Sequence, residues 1–180
     1  MRILAIDPGN TESGYALIDS SNCKPVDIGK IPNDQLLDRL FEWFDGGEGI
    51  VNKVAIEMIA SYGMAVGKEV FETCVWIGRY RQVVDSFAAF DTPCDLVYRA
   101  DVKLHHCHTS KAKDSNITQA LVDRFASGVS NHGKGSKAEP GWFYGFKADI
   151  WAAYALAVYT ADTQRSVEAS LRTGAQGVAS

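Results

Sequence analysis

No window of the sequence reaches the roughly 18 continuous apolar residues of a membrane helix, so a membrane partner is not expected. The start has no basic segment followed by a long apolar run, because Arg2 leads straight into a strand-like stretch; the expected location is the cytoplasm. Cysteine is scarce. Cys23, Cys74, Cys94 and Cys107 form no C-x-x-C pair, which argues against a zinc ribbon or a disulfide framework and for reduced, mostly packed thiols. An excess of positive charge is also missing: 18 Lys and Arg against 22 Asp and Glu give a net charge of −4. That speaks against a general nucleic-acid coat. It leaves room for a DNA enzyme whose positive charge is confined to one groove, and a carboxylate metal site would itself add negative charge. Internal repeats are absent.

What is present is a chain of 180 residues with 46% apolar content, enough for a real core in one domain. Residues 3–6 read as a buried strand and 15–18 as its antiparallel neighbour, with Gly9, Asn10 and Gly14 suited to the turn between. A third strand is expected over 26–31, ended by Pro32. A helix follows over 34–45, where Asn33 suits the cap and Leu36, Leu37, Leu40, Phe41 and Phe44 form one apolar stripe. After "GGEG", residues 53–59 form a short buried strand carrying Glu57. A long helix is expected over 68–90, a strand at "DLVYR", a short helix over 101–106 and another over 115–126. The loop that follows is too long for a simple connector. The last strong helix is expected over 148–161, with a frayed, flexible tail over 164–180. This order predicts an α/β fold whose mixed sheet opens with an antiparallel meander.

Three acids stand out: Asp7 at the end of the first strand, Glu57 on the fourth and Asp149 opening the final helix. Magnesium and manganese prefer oxygen ligands. A two-metal phosphodiesterase needs carboxylates converging from separate elements on ions roughly 3.5–4 Å apart. In that reading Asp7 bridges both ions, Glu57 binds one and Asp149 the other. Each acid also has a plainer reading. Asp7 could cap the turn, and Asp149 could be a helix-start acid favoured by the dipole. Glu57, inside an apolar strand, is harder to dismiss, because a buried unpaired carboxylate is costly.

The segment "ILAIDPGNTESGYALID" resembles the opening hairpin of RuvC-like Holliday junction resolvases, members of the RNase H-like superfamily. "VAIEMIASYGMAVGKEVFETCVWIGRYR" resembles the second motif and following helix of their phage-encoded branch, and "PGWFYGFKADIWAAYALAVY" its closing motif and helix. The resemblance covers about residues 2–161. It implies an RNase H-like five-stranded mixed sheet flanked by helices, with a nuclease domain over 1–163. It also implies Asp7, Glu57 and Asp149 as ligands of Mg²⁺ or Mn²⁺, two ions per active site. The activity implied is hydrolytic resolution of four-way junctions and other branched DNA by a homodimer, in the cytoplasm of a bacterial host if the chain is phage-encoded. One departure matters: many relatives place a further acid one helical turn after the third ligand, where this chain has Ala152. Either the three carboxylates, completed by water and DNA phosphate, suffice, or another acid fills the gap, for which Asp114 is a conceivable substitute.

The stretch "YRADVKLHHCHTSKAK" gathers Arg99, Lys103, Lys111 and Lys113 around His105, His106 and His108. A phosphate-contacting patch is one reading, and the resemblance favours Lys111 and Lys113 near the scissile phosphate. A solvated helix end is the other. Structural zinc ligands usually come in spaced pairs, which argues against zinc at "HHCH". His105 and His108 could instead touch DNA. In the long loop, Lys134 and Lys137 are candidate phosphate contacts. Trp142, Phe143 and Tyr144 either stack on unpaired bases or pin the loop to the core, the commoner fate of buried aromatics. Arg79 and Arg81 read as surface charges. Tyr62 is where resolvases of this type can place an aromatic near the junction centre. Two other functions compete: a nuclease-like protein that binds junctions or RNA without cutting, and an actin-like-superfamily small-molecule kinase. The chain is too short for the kinase's two domains.

Overall fold

A computed structural model of the chain describes residues 1–45, 51–61, 63, 65–87 and 92–176. In chain order the elements are β1 (Arg2–Asp7), β2 (Glu12–Asp19), β3 (Pro25–Pro32), α1 (Asn33–Asp45), β4 (Lys53–Met58), α2 (Lys68–Ser86), β5 (Cys94–Tyr98), α3 (Arg99–Cys107), α4 (Asp114–Phe125) and α5 (Ala148–Gln176), with a short 3₁₀ turn at Asn131–Gly133. The five strands form one mixed sheet in the order β3-β2-β1-β4-β5. β1 pairs antiparallel with β2, and β2 with β3, as an opening meander. β4 then lies parallel to β1, and β5 parallel to β4. This is the expected RNase H-like layout.

Side chains alternate across a strand, and the alternation divides the core in two. Ile3 and Ala5 face one layer, with Ala16, Ile18, Ala55 and Val97, which α3, α4 and α5 close. Leu4 and Ile6 face the other, with Leu17, Val54 and Ile56, which α1 and α2 close. Strands buried on both faces read as continuous apolar runs, which is why "ILAI" and "VAI" looked alike in sequence.

Some boundaries depart from expectation. α3 starts at Arg99 rather than 101, and α2 ends at Ser86. Residues 88–90 of the expected long helix and Tyr62 lie outside the described residues. The larger departure is α5, which continues past 161 to Gln176 through the stretch expected to fray. The helix is held beyond its apolar segment by Asp162, which accepts hydrogen bonds from His105 (2.8 Å), Arg124 (2.6 Å) and Arg165. Arg165 also donates to the carbonyls of Ser20 and Ser21 at 3.1 and 3.2 Å, tying α5 to the β2–β3 turn. Helix-favouring Glu168, Ala169, Leu171 and Arg172 follow. None of the four cysteines is in a disulfide; Cys23 is buried and Cys74 exposed. Among the described residues no helix is long and apolar enough to cross a membrane.

The packing of α5 on the sheet depends on Gly14. A Cβ there would stand 2.6 Å from the Asp149 carbonyl oxygen and 3.0 Å from the Asp149 Cβ, contacts that side chains do not make. Gly14→Ala therefore forces the start of α5 off β2. It is expected to lower stability by about 1–3 kcal/mol, the usual cost of overpacking, read as the free energy of urea unfolding.

Candidate active site

The register brings two of the acids together. Ile6 pairs with Ile56, so Asp7 and Glu57 each stand one residue further along adjacent parallel strands, and both point to the face that carries Ala5 and Ala55. Gly14 lies on the same face opposite Asp7. Because Gly14 lacks a side chain, the first turn of α5 can reach the sheet and bring in Asp149. The three acids, with Arg99, Asp114, Ser115, Thr118, Trp151 and Ala152, line one cleft of about 400 Å³. Their convergence on one cleft, which spacing could not establish, is thus a property of the fold.

The turn after Asp7 is fixed by a buried polar network. The Ser13 hydroxyl donates to Asn33 Oδ1 at 2.7 Å and lies 3.0 Å from the Tyr80 hydroxyl. Asn33 Nδ2 donates to the Gly9 carbonyl at 3.0 Å, and the Gly9 N–H donates to Ser13 Oγ at 3.3 Å. Asn33 therefore ties the β1–β2 turn to α1 with its side chain, a use beyond the helix cap suggested by sequence, and Tyr80 joins α2 to it through Ser13 Oγ and the Asn33 carbonyl. A fully satisfied buried network of this kind rigidifies what it touches.

The electrostatics of the cleft are unbalanced at one residue. Arg99, with its side chain 22% exposed, donates to Glu57 Oε2 at 3.1 Å and to Asp114 Oδ1 at 2.9 Å. Lys103 stands 3.7 Å from Asp114. Lys30, from β3, meets Asp149 at 2.6 Å and Glu12 at 3.6 Å. Asp7 has no ion-pair partner among the described residues. Burial and then the Glu57 charge push its carboxyl up to about 8; Arg99 counteracts this only in part, and Asp149 and Asp114 add to the rise. Glu57 is also raised, by burial, against the pull of Arg99. Burial would raise Asp114 too, but Arg99 and Lys103 outweigh it and hold it below the usual carboxylate range.

The donor set is oxygen only, which suits a hard divalent cation, and an ionised Asp7 has no ion-pair partner of its own among the described residues. The residues fit such an ion chemically. Their present arrangement is a closed one: among the described residues no three His, Cys, Asp or Glu side chains stand close enough to share an ion. Glu57 and Asp149 are engaged instead by Arg99 and Lys30.

The other candidates are scattered. Lys103 stands at the cleft rim through Asp114. Lys111 and Lys113 are exposed on the link between α3 and α4, directly before Asp114. Lys134 and Lys137 sit on the loop after α4 and do not line the cleft. The loop aromatics pin the loop to the core. Phe143 is fully buried, and Trp142 stacks on Phe125 with centroids 5.2 Å apart while donating to the Tyr154 hydroxyl at 2.9 Å. Tyr144 remains exposed. In "HHCH", His105 and His106 pack on α5: His105 meets Asp162, and His106 lies 2.9 Å from the Ala155 carbonyl, its pKa pushed down to about 4 by burial, while His108 is exposed. Arg81 pairs with Asp85, and Arg79 lies over Trp76. Sequence reasoning missed Lys30 and placed Arg99 only in a phosphate patch. An extended strand facing an acid-bearing helix start was the available signal for Lys30.

No protein-family model and no curated protein matches the chain. Among solved structures it is similar to Thermus thermophilus RuvC, with a TM-score of 0.60 and 16% identity over 92% of this chain and 96% of that one. It is likewise similar to T. thermophilus RuvC in complex with a Holliday junction substrate, with a TM-score of 0.59 at the same identity and coverage. At that identity the likeness shows a RuvC-like fold.

The raised Asp7 pKa has a stability consequence. In the unfolded chain Asp7 ionises near 3.8, and in the fold near 8. Folding therefore takes up a proton between those values, and stability falls as pH rises from about 4 to about 8. Asp7→Asn removes that loss. In a chelating buffer the variant is expected to be more stable than wild type by at least ~1 kcal/mol at pH 8, with the gain vanishing near pH 4, measured by denaturant unfolding across that range.

Proposed function

We propose that the protein is a divalent-metal-dependent, structure-selective endodeoxyribonuclease that resolves Holliday junctions and other branched DNA by phosphodiester hydrolysis. The observation that carries this reading is the cleft itself. It joins Asp7, Glu57 and Asp149 from three separate elements, with a buried carboxylate that lacks a counter-charge, in a chain that has the RuvC-like fold along nearly its whole length. Assignment to the phage-encoded branch rests on the three motif segments alone.

Asp7, Glu57 and Asp149 are the residues that would hold Mg²⁺ or Mn²⁺, with Asp7 central because β1 lies between β4, which carries Glu57, and β2, whose Gly14 packs against Asp149. A pair of such ions supplies an acidified water and charge stabilisation of the departing 3′ oxygen when bound. The protein's own part is rigid presentation. β1 and β4 fix two carboxylates by their ladder, and the Ser13–Asn33–Tyr80 network prevents the turn after Asp7 from shifting. Asp114, anchored by Arg99 and Lys103 and lining the same cleft as Ala152, is proposed as the fourth acid in place of the one absent from α5. Lys103, Lys111, Lys113, Lys134 and Lys137 are proposed phosphate contacts, and Tyr62 is kept as a proposed junction contact on the resemblance. Symmetric cutting of two strands calls for two copies of the cleft, hence a homodimer.

A second reading, a junction- or RNA-binding protein that does not cut, draws on Ala152 and on the closed arrangement of the carboxylates. Labelled four-way junction incubated with Mg²⁺ or Mn²⁺ separates the two. Paired nicks are expected from wild type. Asp7→Asn, Glu57→Gln and Asp149→Asn should each lower the nicking rate by about a thousandfold or more, the scale of several kcal/mol of lost charge stabilisation, while junction binding in a gel-shift persists. Tight junction binding by wild type with no nicks in either ion would favour the second reading. In the same preparations Mn²⁺ should raise the melting temperature of wild type and leave that of Asp7→Asn unchanged.

A further inference from the structure

Resting on the nuclease reading, we propose that Arg99 is an exchangeable phosphate clamp. Glu57 holds it while the cleft is ion-free, and it turns to the DNA phosphate when Glu57 takes a divalent cation.

The inference starts from where Arg99 stands. It is the first residue of α3, immediately after β5, and its stem is anchored in the sheet layer that carries Glu57. Its guanidinium spans two carboxylates of unlike character. Glu57 is 16% exposed and belongs to the proposed ligand set, whereas Asp114 is 72% exposed and stands at the rim. A divalent cation and Arg99 cannot both neutralise Glu57 at full strength, because each repels the other at that distance. Once Glu57 is taken by the ion, Arg99 keeps its hold on Asp114 and remains in the cleft with donors released. A guanidinium has five N–H donors in a planar fork that suits phosphate bidentately. Among the described residues no other Arg lines the cleft. Lys30 does not duplicate the role: it comes from β3, pairs with Asp149 and Glu12 rather than Glu57, and its side chain is 43% exposed.

Arg99 also has a plain alternative role as a structural tie between β4, α3 and α4. The two roles differ in how they respond to the ion. A tie contributes equally with and without it. A clamp couples to it in both directions, and such coupling is reciprocal by linkage.

The test uses the full chain, Mn²⁺ alone as the first probe and a four-way DNA junction as the second. Mn²⁺ affinity is read by electron paramagnetic resonance on wild type, Arg99→Gln and Arg99→Lys, each first checked for folding by circular dichroism. Arg99→Gln should bind Mn²⁺ more tightly, by about fivefold or more, because the competing cation is gone. Arg99→Lys, which stays charged but cannot bridge both carboxylates, should fall between and serves if Arg99→Gln does not fold. Junction affinity is then measured in chelator and in Ca²⁺, which takes oxygen ligands as well. Both variants should match wild type in chelator and bind about tenfold more weakly in Ca²⁺. Unchanged or weaker Mn²⁺ affinity in both variants, or a loss of junction binding that is the same in chelator and Ca²⁺, would overturn the clamp while wild-type nicking leaves the nuclease reading intact. A wild-type protein that neither binds Mn²⁺ nor nicks junctions would overturn both.

Discussion

Two like charges placed side by side in a sheet are the constraint around which the cleft is organised. Asp7 and Glu57 occupy neighbouring parallel strands one step past the Ile6–Ile56 pair, on the same partly buried face. Carboxylates so placed cannot both be ionised at ordinary pH without nearby positive charge, because repulsion and desolvation act together. The protein meets half of that demand. Arg99 covers Glu57, and Asp7 is left to be protonated or to find a cation from outside. A fold selected only for stability would gain by removing one of the two acids, since unpaired buried charge is among the costliest features a core can hold. A pair of this kind lining a cleft marks a candidate functional site.

The surrounding architecture serves the same constraint. Gly14 leaves the space through which α5 brings a third acid, and β3 supplies Lys30 to neutralise it. The Ser13–Asn33–Tyr80 network keeps the Asp7 turn from relaxing away from Glu57. Helix α5, the longest element, is secured at its far half by the Asp162 cluster, so its first turn is positioned from both ends. The costly charge arrangement is thus supported by contacts distributed through both core layers.

Much of this could be read from the chain. Five strands and their order of appearance follow from short apolar runs bounded by Gly and Pro, and Asp7 and Glu57 stand out because each interrupts such a run. The resemblance supplied Asp149. What could not be read depends on register and on side-chain reach. Arg99 looked like one more member of a basic patch, because its partner Glu57 is 42 residues away in sequence and adjacent only once β4 and β5 pair. Lys30 reached Asp149 by the same kind of long-range accident of register. The three consecutive-looking histidines and the loop aromatics suggested ligands or base contacts. Helix α5 decides otherwise for His105, His106 and Trp142: Asp162, Ala155 and Tyr154 each satisfy one of those groups. Composition also misjudged the C-terminal half of α5, since polar residues after 161 carry no apolar stripe and the anchor, Arg165, works through backbone carbonyls near the other end of the chain.

The position of the fourth acid follows from the same electrostatics. At Ala152 a carboxylate would sit one turn beyond Asp149 on a wall only 9% exposed, adding a third like charge to the most desolvated part of the cleft. Asp114 instead opens α4, where the helix dipole favours a negative side chain, and its carboxylate is largely in solvent between Arg99 and Lys103. With Asp7 protonated, each of the other cleft carboxylates has a cationic partner: Arg99 for Glu57, Arg99 and Lys103 for Asp114, and Lys30, which also meets Glu12, for Asp149. Any ionisation of Asp7 must bring in compensating positive charge, and carboxylate sites that bind a metal ion release protons as they do so. On the nuclease reading, one divalent ion in exchange for that proton makes the cleft one charge more positive. In a chain whose total charge is −4, that gain weakens the repulsion of a phosphate backbone at the cleft itself.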